Sequence, residues 1–407
     1  MDNGLFSELA STLSSHFGKV YYVSPWVSDL PSSTETEIGE GFPDFERVKD
    51  IWEIIDEVDL FVFTDLHQGP LQTYLVWNGK RVWGARYGDE LETSRAEAKA
   101  HFKELGIPQS NYEVVDGMPD LRKYLKGHEG QKSWVKISLT RGDTETFPVE
   151  NYAVVKNMLD TMEADLGPAA EHMEFIVEDD LPDSLDIAID TYSINGQYPS
   201  SAMLGTEQKD EAYVCSVKDW SEMPESLIDI YEKLSPTLEG YQYKGMLSLE
   251  SRVGKNQAWL CDPCCRCGSP PFELQLNMIE NLAEILWFGA EGKMVQPEFK
   301  GKYGVELIVQ SEWADDHPVL LNFPSKYREQ IKLYHATQFE SQTWTMPQES
   351  GERVAAVVTC GDDLEDCISE AVEIADNLKA FKLQHPGTAL PQLRKNIEIL
   401  ADWGIII

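Results

Sequence analysis

At 407 residues, with 42% apolar residues and 11 tryptophans, the chain is long and apolar enough to bury a core and is not a disordered polymer. Its formal charge of −36, from 34 Lys and Arg against 70 Asp and Glu, argues against non-specific binding to nucleic acid. No run of 18 apolar residues predicts a membrane span, and the first residues lack the basic start and apolar centre of a secretory signal; a cytoplasmic protein of two to four domains is expected.

Residues 19–26 and 58–64 are apolar runs of strand length, suited to a parallel sheet covered on both faces, and Phe45 to Asp56 between them reads as a helix. An Asn78-Gly79 turn falls within 75–84. A helix is predicted over 93–105, with Ser94 and Glu97 at capping-box spacing, Gly106 at its end and Pro108 just beyond. After the first apolar run, Ser24-Pro25-Trp26-Val27-Ser28 stands where a glycine-rich turn would hold a phosphate, so a Rossmann-type dinucleotide site is not expected.

Farther along, Val135, Ile137 and Leu139 alternate inward and leave Lys136 on the opposite face. Thr140, Arg141 and Gly142 then open a short loop offering a hydroxyl, a guanidinium and backbone N–H groups. A strand from Glu174 ends in Glu178, Asp179 and Asp180. In the next strand Leu185, Ile187 and Ile189 share one face, with Asp186 and Asp190 on the other, and Asn195-Gly196 makes a hairpin turn. Near the end, a strand at 353–359 leads into a helix at 363–381 capped by Asp362 or Asp363, and His335 reads as structural.

The most informative stretch is Tyr243 to Gln275. It predicts a β-hairpin turning at Gly254-Lys255-Asn256-Gln257, and a three-residue loop of Lys255 to Gln257 would set Glu250 directly across from Asp262. Two carboxylates sharing a face repel unless a cation sits between them, and Mg²⁺ is the common answer where phosphates are near. The residues alone leave open a second reading, an exposed hairpin with two solvated acids. Four of the seven cysteines crowd into Cys261 to Cys267, which raises a metal-cluster reading, although the spacing fits no zinc ribbon or ferredoxin pattern.

The order of these features resembles the ATP-grasp enzymes, and more narrowly glycinamide ribonucleotide synthetase (phosphoribosylamine–glycine ligase). That family's segment E-F-N-C-R-F-G-D-P-E-T-Q is matched by Asp262-Pro263-Cys264-Cys265-Arg266-Cys267-Gly268-Ser269-Pro270, with Glu273 and Gln275 two residues late. Its L-E-G-S-K-A-F-A-K is matched by Leu91 to Lys99, and elements of its C-terminal domain by Tyr334-His335-Ala336-Thr337 and the 353–381 region.

The resemblance implies an α/β protein with an ATP-grasp fold. Its expected parts are a Rossmann-like domain (1–115), two ATP-grasp subdomains (116–175 and 176–298) and a small α/β C-terminal domain (299–407). The implied cofactors are ATP and Mg²⁺. Nucleotide contacts would come from Arg95, Lys136, Thr140, Arg141, Gly142, Glu178, Asp179 and Asp186. Metal ligands would be Glu250, Asp262 and Cys264, a thiol where the family has Asn, and thiolates suit softer metals. Arg266 and Lys136 are the catalytic candidates.

The implied reaction is ATP-dependent joining of a carboxylate, an amino acid such as glycine, to an amine on a nucleotide or sugar phosphate by way of an acyl phosphate, in a monomer or homodimer. The family's sugar phosphate lies near a glycine-rich turn that is not seen here. The departures at Arg95, Cys264 and Ser269 also fit a scaffold that binds nucleotide without catalysis.

Overall fold

The computed structural model describes residues 1–24, 37–138, 146–347 and 352–407. The chain begins with α1 (Ser7–Ser14), β1 (Tyr21–Tyr22), β2 (Glu46–Arg47), α2 (Ile51–Ile54), β3 (Leu60–Val62), α3 (Gly69–Trp77), β4 (Arg81–Trp83), α4 (Glu90–Thr93) and α5 (Arg95–Glu104). Two short parallel pairs result, β1 with β2 and β3 with β4.

The helix expected from Phe45 to Asp56 shrinks to α2 because the backbone before it is drawn into a ladder. The amides of Glu46 and Val48 donate to the carbonyls of Val20 and Tyr22. Only after Asp50, whose carboxylate accepts from the Trp52 amide at 2.9 Å, does a helix start. The capping box expected at α5 is not made: Ser94 precedes the helix without a side-chain cap.

A four-stranded antiparallel sheet follows, in the order β5 (Tyr112–Asp116), β8 (Glu174–Asp179), β6 (Ser133–Ile137), β7 (Thr146–Val149), with α6 (Met118–Gly127) and α7 (Tyr152–Leu166) on one face. Val115, Val135, Ile137, Phe175 and Val177 point to those helices and form a core of their own. The alternation of side chains across the ladder then puts Trp134, Lys136, Ile176 and Glu178 together on the opposite, helix-free face. The expected divisions at 115/116 and 175/176 fall inside β5 and β8.

The largest sheet is built from β9 (Leu185–Ile194), β10 (Ser201–Gln208), β11 (Ala212–Asp219), β12 (Lys244–Gly254), β13 (Gln257–Cys264) and β14 (Tyr303–Ser311). β16 (Ile331–Leu333), β19 (Arg353–Gly361) and the short β20 (Leu383–Gln384) complete it, in the order β13-β12-β9-β10-β11-β14-β19-β16 with β20 on β14. A separate small sheet joins β15 (Val319–Leu321), β17 (Ala336–Phe339) and β18 (Gln342–Thr345).

α8 (Glu225–Gly240), α11 (Leu364–Asn377) and α12 (Ala389–Asp402) cover one face of the large sheet, burying Ile187, Ile189, Leu247, Leu249, Val305 and Val357. α9 (Phe272–Met278) and α10 (Leu282–Ala290) lie toward the other face. α11 ends four residues earlier than expected, and Asp363 caps it by accepting from the amides of Glu365 and Asp366. No helix of the described residues is long and apolar enough to cross a membrane.

Candidate active site

Four elements converge where the open face of the four-stranded sheet meets the outer hairpin of the large one. β6 brings Lys136, β8 brings Glu178, α5 brings Arg95 and Lys99, and the β12–β13 hairpin brings Glu250 and Asp262. Lys136 Nζ lies 2.6 Å from Asp262 Oδ2 and 3.2 Å from Glu178 Oε1. Lys99 Nζ lies 2.9 Å from the same Glu178 oxygen, and Arg95 Nε lies 3.9 Å from Asp262 Oδ1. The Lys99, Lys136 and Glu178 side chains are each 5% exposed, against 33% for Asp262. Asp262 is thus the member of the network that solvent, or a ligand, reaches.

The hairpin places Glu250 opposite Asp262, but by a different route from the one expected. The turn is a two-residue loop, with Gly254 paired to Gln257, a register that alone would put Glu250 across from Cys261. A bulge between Glu250 and Ser251 absorbs the extra residue and restores the Glu250–Asp262 pair. Both acids therefore face the same side of the sheet, with Ser248 and Cys264 as the next pair along that face.

The charges are strongly perturbed. Burial works against the Lys136 ammonium, yet the carboxylates of Asp262 and Glu178 outweigh it and hold its pKa above the usual lysine range. Burial likewise opposes the Asp262 carboxylate, but Lys136 and Arg95 bring its pKa below the ordinary value. Glu250 goes the other way. Burial, with Asp262 and Asp186 nearby, pushes its pKa up to about 7 against the opposing pull of Lys209 and Arg266. Glu250 makes no hydrogen bond or ion pair among the described residues, and a cavity of about 30 Å³ lies beside it, lined also by Asp186, Glu207, Ser248 and Cys264.

An acid held near neutrality and without a donor among the described residues, facing a second acid, is a donor set that suits a hard divalent cation bound through one or two carboxylates and substrate phosphates. The thiol of Cys264 does not fit that chemistry. Among the described residues, no group of three or more His, Cys, Asp or Glu side chains is gathered so as to hold a metal by itself. That finding gives no support to the cysteine-cluster reading of 261–267, whose four cysteines form no disulfide.

The remaining expected residues sit as follows. Asp186 shares the cleft face of the large sheet and is 2.7 Å from Arg252 Nη1. Asp179 turns outward and accepts from Asn111 at 3.0 Å, whereas Glu178 turns inward. Arg266 is buried against the N-terminal part of the chain, its Nε 3.0 Å from Glu92 and 3.9 Å from Asp65, while remaining near enough to Glu250 to lower its pKa. Thr140, Arg141 and Gly142 lie outside the described residues.

Sequence reasoning missed Lys99, Glu207 and Glu92. Lys99 had a signal, being one helical turn after Arg95 on the same face. Glu207 had none, because only the pairing of β10 with β9 and of β9 with β12 brings it beside Glu250.

Of the Ser24 to Ser28 segment only Ser24 lies among the described residues. The turn that feeds α1 is Asp2 to Phe6, and its anion site is already filled. Asp2 Oδ2 accepts from the amides of Gly4 and Phe6, both at 3.0 Å, and from the Tyr22 hydroxyl at 2.6 Å.

No family model matches the sequence, and no curated protein matches it significantly. Solved structures do match. A phosphoribosylamine–glycine ligase from Thermotoga maritima superposes with a TM-score of 0.71 at 15% identity, covering 94% of this chain and 97% of that one. The biotin carboxylase domain of 2-oxoglutarate carboxylase from Hydrogenobacter thermophilus, solved with MgADP and bicarbonate, gives 0.68 at 10% identity over 93% and 89%. N5-carboxyaminoimidazole synthetase from Staphylococcus aureus, solved with ADP, gives 0.62 at 11% over 91% and 94%. With the two facing sheets and the cleft between them, these likenesses identify the chain as having an ATP-grasp fold.

Proposed function

We propose that the protein is an ATP-dependent ligase that joins a carboxylate, an amino acid such as glycine, to an amine. The observation that carries this reading is the convergence of Lys136, Lys99 and Arg95 on Asp262 and Glu178 between two sheets, in a chain of net charge −36. Buried cations at that density suit a polyphosphate. Glu250 and Asp262 would hold Mg²⁺, which when bound offsets charge on the phosphates.

Lys136 leaves Asp262 to meet the phosphates, and Arg95, with a fork of donors, adds bidentate contacts. Glu178, ion-paired with both lysines, keeps them aimed while nucleotide is absent. The substrate carboxylate takes the γ-phosphoryl group to form an acyl phosphate. The amine then attacks that carbonyl and phosphate leaves, so no protein nucleophile is required. Catalysis consists of positioning and charge neutralisation. Arg266, ion-paired with Glu92 and close enough to lower the pKa of Glu250, would steady the acyl phosphate.

Asp2 bears on the amine. Its carboxylate takes the α1 turn's amides at Gly4 and Phe6, which disfavours an acceptor held there by a sugar phosphate and favours one recognised through other groups.

The test is Mg²⁺-dependent ADP release with ATP, a panel of amino acids and a panel of amines with and without phosphate, using Asp262→Ala as the control. Release that depends on one amino acid and is lost in the variant supports the ligase. Nucleotide binding without release under every combination supports the catalytically silent scaffold, the reading that Cys264 at a ligand position favours.

A further inference from the structure

The N-terminal sheet is split, and the split has the shape of a strand. Among the described residues, β1 is bonded to β2 on one side only and β3 to β4 on one side only. Val20 and Tyr22 present their carbonyls to the β2 side, so the alternation of a strand turns the backbone groups of Tyr21 and Val23 the other way. Likewise the Phe63 amide bonds to the Trp83 carbonyl, which leaves Leu60 and Val62 facing away from β4.

Those two free edges face each other, and Met1-Asp2 bridges one end. Met1 donates to the Val62 carbonyl at 2.8 Å and accepts from the Thr64 amide at 3.3 Å, while Asp2 donates to the Val23 carbonyl at 3.1 Å. One residue bonding to the carbonyl before and the amide after its partner is the parallel ladder. Met1-Asp2 therefore marks a strand path lying between β1 and β3 and running the same way as both.

Back along that path the space is open. A cavity of about 450 Å³ is bounded by the two edges, with Phe6, Leu13 and Trp287 on one side and Ile51, Ile54 and Val58 on the other. Backbone groups that point into an apolar space, the half-buried Tyr21, Leu60 and Val62 and the buried Val23, gain from partners that an apolar small molecule cannot supply.

We propose that this gap is a strand-acceptor site. Its occupant is an extended apolar peptide segment of about four or five residues, at ~3.3 Å per residue, lying parallel to both neighbours with its C-terminal end against Met1. It joins the two pairs into one five-stranded sheet ordered β2-β1-segment-β3-β4. Because side chains on both faces of the segment meet apolar walls, it is uncharged and rich in β-branched residues, as fully covered parallel strands are.

The test joins Val-Ile-Val-Leu-Val ahead of Met1 in the whole protein and compares it with Glu-Ser-Glu-Ser-Glu at the same place, reading hydrogen exchange at the slot-facing amides of Val23 and Val62. The apolar segment should slow both amides by about tenfold or more relative to the acidic one and raise the melting temperature. As a second arm, free acetylated Val-Ile-Val-Leu-Val is titrated into the unextended protein, where saturable protection of the same two amides is expected. Equal exchange with both extensions and no protection by free peptide would overturn the proposal. So would unchanged uptake of a small apolar fluorophore by the cavity when the apolar segment is attached.

Discussion

Two pairs of neighbouring acids among the described residues are not alike. Glu250 and Asp262 sit at the edge of the cleft among Lys136, Arg95, Lys209 and Arg266, and Asp262 keeps an exposed side. Glu273 and Glu306 lie deeper under α9, where Ser269 donates to Glu273 at 2.5 Å and the Leu274 amide donates to Glu306 at 3.2 Å. Burial raises the pKa of both acids of this second pair, and Glu273 pushes Glu306 further. The first pair is divided by its surroundings, one acid below the ordinary range and one at about 7. Close carboxylates therefore do not by themselves mark a reactive site. What sets the Glu250–Asp262 pair apart is the set of cations beside it and the exposed side of Asp262, and the proposed function rests on both.

The strongest way to break this comparison is Asp262→Ala. Loss of one positioned charge at a reacting phosphoryl group is expected to cost about 10²–10³ in ADP release, and calorimetry should show nucleotide affinity falling with it. Near-normal turnover would move the metal away from the hairpin. Next comes Glu178→Ala, which leaves the Lys99 and Lys136 ammoniums buried without the carboxylate they share. A stability loss of about 3–5 kcal/mol is expected from urea unfolding, with Glu178→Gln losing less because it keeps the hydrogen bond from Ser110.

A matched pair of substitutions tests the two acid sites directly. Glu250→Gln should weaken the Mg²⁺ dependence of turnover by about 10–100-fold or more, judged against the effect of outer-sphere partners at metal sites. Glu306→Gln should leave turnover within about twofold. Its signature is in stability. An acid whose folded pKa is raised favours the folded state below its unfolded pKa and loses that contribution as pH rises toward the folded value. Glu306→Gln should therefore gain on the parent in urea midpoint as pH rises from about 4.5. Opposite results, an inert Glu250→Gln and an inactive Glu306→Gln, would exchange the roles of the two pairs.

Much of the architecture was legible because it rests on alternation. Val135 and Ile137 against Lys136, and Leu185, Ile187 and Ile189 against Asp186, fix which face each strand buries, and the structure follows both patterns. The N-terminal unit was less legible. Its helix at 45–56 gave way to a two-residue ladder, and the turn before α1 is stabilised by Asp2 from within, a contact no periodicity announces. At the site, local spacing suggested the Glu250–Asp262 pairing but not the bulge that produces it. The partners of Lys136, Glu178 and Asp262, come from two separate stretches of chain, and only the meeting of two sheets assembles them.

The smallest effect concerns His335, which the sequence marked as structural. Burial, and then the charge of Arg353, bring its pKa down to about 4. The imidazole is therefore neutral in the folded protein at pH values where the unfolded chain, near 6.5, takes up a proton. A depressed pKa contributes stability that is present above the unfolded value and lost as pH falls through the folded one, here between about pH 6.5 and 4, by at most about 3 kcal/mol. Asparagine is the substitution to use, because His335 has φ 46° and Asn tolerates the left-handed region. His335→Asn should match the parent within about 0.5 kcal/mol at pH 8 and fall less steeply from pH 6.5 to 4. Equal slopes would mean that the ring is already protonated in the folded protein, with the Arg353 guanidinium turned away from it.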